Sequence, residues 1–219
     1  MLLRLPVSRH APSVLAAGLL ALSVAQPAWS EPEASSAHRF CQQVSRRLPN
    51  LSPSLCARVQ LEHSGARSVR GQPLFQRDVV SPHARLRVLV VGGIHGDEPS
   101  STSLVMHWVQ SAVETPSNIH WRFVPLMNPD GMLLPKPTRT NAHGVDLNRN
   151  FPTPNWEKEA PIYWNQRTRK DPRRFPGERP LSEPESRWLR DEMDRWKPDL
   201  IVSVHAPYGV LDFDGPTVP

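Results

Sequence analysis

The most informative stretch of the sequence is Arg87-Val-Leu-Val-Val-Gly-Gly-Ile-His95-Gly-Asp-Glu98. Its apolar, β-branched run ends in two glycines, which predicts a buried strand that stops abruptly. A histidine then precedes a glutamate by three residues, so His95 and Glu98 could bind one metal ion just past the strand. This spacing is a weak signal in a chain with nine histidines, and a metal site needs further ligands.

Strands and helices alternate around this stretch. We expect strands over residues 85–91, 119–127 and 199–205, and helices over residues 98–113 and 182–196. The apolar run within residues 199–205 predicts that this strand is buried. Ser182 and Glu185 have the spacing of a capping box at the start of the second helix. The alternation predicts an α/β fold whose parallel or mixed sheet is covered on both faces. His95 and His205 both follow the carboxyl ends of strands, where such sheets place their ligands.

The segment 31–84 precedes this alternating part of the chain. Two short helices are predicted within residues 38–59, and Ser52-Pro53 is a suitable start for the second. Residues 61–80 predict a hairpin that turns at Arg70-Gly71. The expected organisation is therefore a signal peptide over 1–30, a helical segment and hairpin over 31–84, and a main domain over 85–219.

The first 30 residues have the features of a secretory signal peptide. Arg4 and Arg9 form a basic start, residues 14–25 are a short apolar run, and Ala28-Trp29-Ser30 places small residues where signal peptidase cuts. We expect cleavage after Ser30 and a periplasmic or secreted protein without a stable membrane anchor, because the apolar run is too short to span a bilayer. Export to an oxidising compartment favours a disulfide between Cys41 and Cys56 over two free thiols.

The charge of the chain favours no particular class of partner. The formal net charge falls from +5 to +3 when the two arginines of the signal peptide are removed. This excess suits an anionic environment such as a cell wall, but ordinary solubility explains it equally well. No basic stripe interleaved with aromatic residues points to nucleic acid.

A second polar cluster, Asn141-Ala-His-Gly-Val-Asp-Leu-Asn148-Arg149-Asn-Phe151, lies in the long proline-rich segment after residue 132. Arg149 could hold a carboxylate through two parallel hydrogen bonds, and Asn148 could add another. Arg139, slightly earlier, could stabilise an oxyanion. A single arginine in a loop is more often a solvated charge. These roles are therefore predicted only because other motifs of the same kind of site occur in the sequence.

Together these motifs resemble those of the M14 family of zinc carboxypeptidases. The matching segments occur in the family's order: His95-Gly-Asp-Glu98, Asn128-Pro-Asp-Gly131, Arg139, Gly144-Val-Asp-Leu-Asn148-Arg149-Asn-Phe151, Ser182-Glu-Pro-Glu185 and Ser203-Val-His205. They extend from about residue 85 to the end and are most similar to the short bacterial branch that includes murein peptide amidases. The resemblance implies a three-layer α/β/α sandwich around a mixed, mostly parallel sheet. It also implies one zinc ion per chain and hydrolysis of an amide bond next to a free carboxylate.

The resemblance also implies a role for each matching residue. His95, Glu98 and His205 correspond to the zinc ligands, Arg139 to the arginine that polarises the scissile carbonyl, and Asn148 and Arg149 to the pair that holds the substrate's terminal carboxylate. The expected substrate is a peptide with a free carboxylate, as in murein.

The general base of the family, a glutamate on a late strand, has no counterpart in this sequence. Only Asp212 and Asp214 follow His205, in a loop context, and the sequence ends at Pro219. We therefore expect a truncated domain, with the base, the last strands and the wall of the specificity pocket beyond Pro219. The sheet of such a chain would have an exposed edge.

Two other functions stay open at this stage. Zinc-dependent deacylases of the aspartoacylase and desuccinylase type share the Gly-Gly-x-His-Gly-x-Glu and Asp-Leu-Asn-Arg motifs, although Asn128-Pro-Asp-Gly131, Ser182-Glu-Pro-Glu185 and the signal peptide favour the peptidase. A non-catalytic protein that binds zinc and peptide would explain the missing base.

Several residues near these motifs have no clear role from the sequence. Asp97, between two candidate ligands, could orient one of them, although simple exposure to solvent is favoured. His143 is not expected to be a ligand. Trp156, Tyr163 and Trp164 could line a cleft or merely pack within their loop.

Overall fold

This computed structural model describes residues 33–206 and residue 209. The predicted signal peptide, Asp212 and Asp214 lie outside the described residues. Within residues 33–206, no helix is long and apolar enough to cross a membrane.

The described part of the chain contains six α-helices and five strands. The helices are α1 (Glu33–Arg47), α2 (Pro53–Val59), α3 (Pro99–Glu114), α4 (Pro129–Met132), α5 (Trp156–Ile162) and α6 (Pro184–Trp196). The strands are β1 (Glu62–Arg67), β2 (Pro73–Val79), β3 (Leu86–Val91), β4 (Ile119–Val124) and β5 (Leu200–Ser203). Between α4 and α6 the chain also forms 3₁₀ turns at Leu147–Arg149 and Pro172–Arg174 and a π-helical turn at Tyr163–Arg167.

The five strands form one mixed sheet in the order β1-β2-β4-β3-β5. Strand β3 is parallel to both of its neighbours, while β1, β2 and β4 pair antiparallel in succession. The four residues Val88–Val91 are each at most 2% exposed. Such a continuous apolar run suits a central parallel strand with both faces covered. The predicted α/β fold with a mixed sheet is confirmed.

Helices cover both faces of this sheet. Val88 and Val90 face a core shared with α1, α2 and α3, whereas Leu89 and Val91 face a second core that includes Leu189 of α6. The division follows from the alternation of side chains along a strand. The resulting three layers match the predicted sandwich.

The segment upstream of residue 85 forms the two predicted helices and the predicted hairpin. The Ser52 hydroxyl caps α2 by accepting a 3.1 Å hydrogen bond from the backbone N–H of Leu55. Cys41 of α1 and Cys56 of α2 are joined by a disulfide. Because β2 pairs with β4, this segment shares a sheet and a core with the residues that follow it.

Two details differ from the sequence-based predictions. The capping role of Ser182 is wrong: α6 begins at Pro184, and the Ser182 hydroxyl donates to Glu183 Oε1 (2.7 Å) and accepts from Asn150 Nδ2 (2.9 Å). These tertiary contacts compete with the local cap. Strand β5 was expected to be buried, but Leu200 and Ile201 are 44% and 46% exposed. Within the described residues β5 pairs only with β3, so it forms an apolar sheet edge.

Candidate metal and substrate site

The chain turns sharply at the carboxyl end of β3, and this turn packs against the segment that follows β4. Gly93 adopts a left-handed φ of +57°, and a Cβ there would lie 2.5 Å from Thr102 Oγ1 of α3. A Cβ at Gly96 would lie 2.4 Å from the backbone of Gly131 and Met132. Only glycine permits this approach, so the loop that carries His95 is pressed against the Asn128-Pro-Asp-Gly131 turn.

His95, Glu98 and His205 converge beyond the strand ends. His95 Nδ1 lies 2.9 Å from Glu98 Oε1, and His205 Nδ1 lies 3.1 Å from Glu98 Oε2 and 3.2 Å from His95 Nδ1. One ligand atom from each residue can be chosen so that all lie within 4.8 Å of one another. Because β5 is parallel to β3 and adjacent to it, residues that follow the two strands meet at one edge of the sheet.

The three side chains of this cluster differ in exposure. The His95 side chain is 2% exposed and that of Glu98 10%, whereas that of His205 is 29% exposed. The backbone N–H of Ala206 donates to Glu98 Oε2 at 3.1 Å, which ties the end of β5 to the glutamate. His205 is therefore the most exposed of the three candidate ligands within the part of the chain that the structure describes.

Asp146 is the functional residue that sequence reasoning missed. It is fully buried, and its carboxylate lies 3.0 Å from His95 Nε2 and 2.9 Å from Arg139 Nε. Burial alone would raise the pKa of this carboxyl, but the hydrogen bonds and positive charges of His95 and Arg139 together lower the pKa of Asp146 below its usual value. The residue therefore stays ionised. The only sequence signal was an acidic residue inside the Gly144–Phe151 motif.

The contact with Asp146 determines which nitrogen of His95 is free. An ionised carboxylate only accepts hydrogen bonds, so His95 Nε2 carries the donated proton. In the neutral ring, Nδ1 then presents a lone pair to the Glu98 oxygen 2.9 Å away. Two acceptors at this distance need a positive charge between them, either a second ring proton or a metal ion. A histidine whose second nitrogen is held by a carboxylate is typical of metal sites.

His205 is also suited to bind a metal through a neutral ring. Burial, followed by the nearby positive charge of His95, lowers the pKa of His205, and the negative charge of Glu98 opposes this only in part. A lower pKa favours the neutral imidazole, which is the form that binds metals. Two imidazoles and one carboxylate are a common set of protein ligands for catalytic zinc, so the residues present fit the ion.

Arg139 lies directly beside the candidate metal ligands. Its side chain is 10% exposed, with Nη1 3.4 Å from Glu98 Oε1 and Nε hydrogen-bonded to Asp146. The Asn128 side-chain amide donates to the Arg139 carbonyl at 3.1 Å, which holds the backbone in place. The structure thus fixes the Arg139 guanidinium between Asp146 and the candidate ligand Glu98.

Asn148 and Arg149 lie in a 3₁₀ turn that directly follows Asp146. The Asp146 carboxylate accepts a 3.1 Å hydrogen bond from the Asn148 backbone N–H and so starts the turn. Both side chains are partly exposed. The carboxylate that orients His95 therefore also positions the backbone of the proposed substrate-binding pair.

The Asn128-Pro-Asp-Gly131 and Ser182-Glu-Pro-Glu185 motifs each supply a buried carboxylate that stabilises the scaffold. Asp130 accepts hydrogen bonds from the Ser68 hydroxyl and the Arg70 backbone N–H, and Glu185 accepts one from the Val69 backbone N–H. Both carboxylates are buried and bind the turn of the β1–β2 hairpin. Burial raises the pKa of Glu185, and the charge of Asp130 adds to this.

Asp97 does not orient a candidate ligand. Its carboxylate forms an ion pair with Arg173 at 2.7 Å, so the loop between His95 and Glu98 is attached to the 3₁₀ turn at Pro172–Arg174. His143 also stays outside the cluster, since its Nδ1 lies 2.7 Å from Glu183 Oε2.

Comparison with known proteins places the chain in a family. The family model described as zinc carboxypeptidase matches residues 40–211. The chain belongs to the zinc carboxypeptidase family. The match begins upstream of the motifs that start near residue 85, so it includes part of α1, all of α2 and the hairpin.

Several members of the zinc carboxypeptidase family are similar to this chain. Murein peptide amidase A of Escherichia coli K12 is 37% identical over 153 residues, which cover 69% of this chain and 61% of the relative. The protein of the same name from Vibrio campbellii is 36% identical over 154 residues, which cover 68% and 59%. The chain thus spans about three fifths of the length of these relatives.

Solved structures support the same fold. The crystal structure of murein-tripeptide amidase MpaA from Escherichia coli O157 superposes with a TM-score of 0.51 at 33% identity, covering 69% of this chain and 65% of that one. Bovine thrombin-activatable fibrinolysis inhibitor superposes with a TM-score of 0.59 at 20% identity, covering 80% and 60%. The predicted resemblance to the M14 family is confirmed.

Proposed function

We propose that this chain is all or part of a zinc-dependent hydrolase. The enzyme would cleave an amide bond next to a free carboxylate in murein peptides. The observation that carries the proposal is the convergence of His95, Glu98 and His205 with Arg139 at their side. The similarity to proteins named murein peptide amidase A supports the choice of substrate.

In this proposal His95, Glu98 and His205 hold one zinc ion. When bound, zinc lowers the pKa of a bound water to about 7 and polarises a carbonyl. Asp146 holds His95 through Nε2, which leaves Nδ1 as the nitrogen that would bind the ion, and Arg139 would stabilise the negative charge that develops on the scissile carbonyl oxygen. Asn148 and Arg149 bind the terminal carboxylate of the peptide and so place the amide bond beside the ligands.

The electrostatic balance of the site supports an anionic substrate. Glu98 and Asp146 contribute two negative charges, and Arg139 contributes one positive charge. A divalent cation changes this net charge from −1 to +1, and Arg149 adds a further positive charge at the proposed carboxylate site. A peptide that ends in a carboxylate is attracted to such a site.

The proposal includes export to the periplasm or beyond the cell. It is supported by the basic start, apolar run and small residues of positions 1–30. The disulfide between Cys41 and Cys56 also suits an oxidising compartment. The mature chain would then begin at Glu31.

A second candidate is binding of zinc and peptide without turnover. Among the described residues, Glu98 and Asp146 are the carboxylates that contact the candidate histidine ligands. Glu98 is itself a ligand, and Asp146 is fully buried between His95 and Arg139, so neither is available as a general base. Deacylation of N-acyl amino acids has less support, since the relatives that match this chain include proteins named murein peptide amidase A and carboxypeptidase SOL1.

Metal analysis combined with a cleavage assay tests these functions. The exported protein would be analysed for zinc by mass spectrometry and incubated with purified murein peptides and, separately, N-acyl amino acids. We expect one zinc per chain and cleavage of murein peptides. His95→Ala should lose the metal, while the exposed-loop variant His83→Ala should keep it.

Each alternative has its own outcome in this experiment. Bound zinc and peptide affinity without cleavage would support the binding function. Turnover of N-acyl amino acids alone would support the deacylase. Equal zinc content in the His95→Ala and wild-type proteins would contradict the assigned metal site.

A further inference from the structure

The side chain of Arg149 rests on an aromatic ring. Its Cζ lies 5.2 Å from the centroid of the Tyr163 ring, within the range of a cation–π contact. Its Nε is buried and has no hydrogen-bond partner among the described residues. Within residues 33–206, no carboxylate pairs with Arg149 either, so the Tyr163 ring is the contact that orients the guanidinium.

Helix α5 and the turn that follows it present this ring. The Trp156 indole N–H, at the start of α5, donates to the Arg149 carbonyl at 2.8 Å. Tyr163 follows seven residues later, two helical turns along, and so lies on the same side of the helix. One helical segment therefore contacts both the backbone and the guanidinium of Arg149.

The position of Tyr163 is itself well held. It begins the π-helical turn Tyr163–Arg167, in which the Thr168 backbone N–H donates to the Tyr163 carbonyl at 3.0 Å. Next to it, the Trp164 indole N–H donates to the Asp171 carbonyl, and the Trp164 ring packs on Phe175 with centroids 4.8 Å apart. Single π-helical turns within helices are frequent at functional sites.

We propose that Tyr163 is a positioning residue for recognition of the substrate's carboxylate. It acts through Arg149, so the inference rests on the proposed function, in which Arg149 binds that group. The ring occupies a face of the guanidinium and uses none of its N–H groups, which stay available in the plane for a carboxylate. An arginine side chain that is already held loses less conformational freedom when the substrate binds.

The test compares aromatic and non-aromatic residues at position 163. Tyr163→Phe keeps the ring face, whereas Tyr163→Leu and the less shape-demanding Tyr163→Met remove it. Each variant would be assayed with a peptide that ends in a free carboxylate and with the same peptide as a carboxamide. For the carboxylate peptide, we expect both non-aromatic variants to raise KM about 3- to 10-fold, the size expected when one additional flexible side chain must be ordered on binding. Their kcat should change less than about twofold.

The carboxamide peptide and an aromatic residue beside a different arginine serve as controls. None of the position-163 variants should change the KM for the carboxamide peptide, because that peptide has no charge for Arg149 to bind. Trp196→Leu removes the ring that lies under Arg122, 4.8 Å from its Cζ, and does not alter the turn that holds Tyr163. It should lower the melting temperature but leave the ratio of the two KM values unchanged.

The outcomes separate this inference from the proposed function. If Arg149→Ala leaves the preference for the carboxylate peptide intact, the assignment of Arg149 is wrong. If Arg149→Ala removes the preference but Tyr163→Leu and Tyr163→Met keep it, only the role of Tyr163 is wrong. Equal losses on both peptides at position 163 would indicate mere packing and would also overturn the inference. Without turnover, calorimetric Kd values of the two peptides with the zinc-loaded protein replace KM.

Discussion

Replacing Asp146 with asparagine should weaken zinc binding by about 10- to 100-fold, the usual effect of removing the group that orients a metal-binding histidine. The Asp146 carboxylate has two donors, His95 Nε2 at 3.0 Å and Arg139 Nε at 2.9 Å. An asparagine of the same shape has one oxygen and one NH₂ group. It can satisfy one of these donors, while its NH₂ group faces the other donor in a buried space.

The same substitution should also destabilise the metal-free protein. Asp146 is fully buried, and among the described residues its loss leaves the Arg139 guanidinium with the longer contact to Glu98 at 3.4 Å. Removing one partner of a buried charge pair costs about 3 to 5 kcal/mol. Stability therefore has to be measured separately from metal affinity.

Two measurements separate these effects. Competition with a chromophoric zinc chelator gives the Kd for zinc, and urea unfolding in the presence of EDTA gives the stability of the metal-free chain. Asp97→Asn is the matched control, because Asp97 lies between two candidate ligands but pairs with Arg173. Its Kd for zinc should stay within about threefold of the wild-type value. The reasoning is refuted if Asp146→Asn binds zinc as tightly as Asp97→Asn does.

Three further predictions concern the scaffold. Arg122→Ala should lower the free energy of unfolding by about 3 kcal/mol, because it removes the ion-pair partner of Asp78 and leaves the buried Glu192 with Arg195 alone among the described residues. Arg190→Ala breaks an exposed pair and should cost less than about 1 kcal/mol. Similar losses in the two variants would contradict this. Cys41→Ser should lower the free energy of unfolding, measured with urea, by about 3 kcal/mol, since the disulfide closes a loop with a sequence separation of 15. An unchanged free energy of unfolding in non-reducing buffer would contradict this prediction. Burial opposes ionisation of Glu183, but its hydrogen bonds outweigh burial and lower the pKa of Glu183 below 4.5. The ionised carboxylate therefore stabilises the fold above that pH, and this contribution is lost as the pH falls further. Glu183→Gln should flatten this part of the stability profile, and an unchanged slope would contradict the assignment.

Local patterns in the sequence are sufficient for much of the scaffold. The run before Gly92 predicts β3 because four consecutive apolar residues suit a strand that is covered on both faces. The cap at Ser52 depends on residues three positions apart and forms as expected. Ser182 has an equally good local pattern but hydrogen-bonds Asn150, 32 residues away. Local pattern therefore fails where a distant polar group competes.

The carboxylate that contacts His95 is a second case in which local sequence pattern fails to predict a contact. Asp97 is two residues from His95 and Asp146 is 51 residues away, and spacing alone favours the nearer one. In the fold, Asp97 pairs with Arg173 while Asp146 is buried against His95. Neither contact can be inferred from spacing, because both depend on how the segment between α4 and α6 packs against the end of β3.

The sequence by itself determined the family and the set of candidate residues, since His-x-x-Glu, the Asn-Arg pair and the final histidine are local patterns in a family order. The tertiary structure alone decided which of these side chains meet. It places β5 beside β3, so that His205 lies 3.2 Å from His95 across 110 residues of sequence. It also selects Asp146 to hold His95 and Tyr163 to support Arg149. These contacts arise from strand order and burial, which are properties of the whole fold.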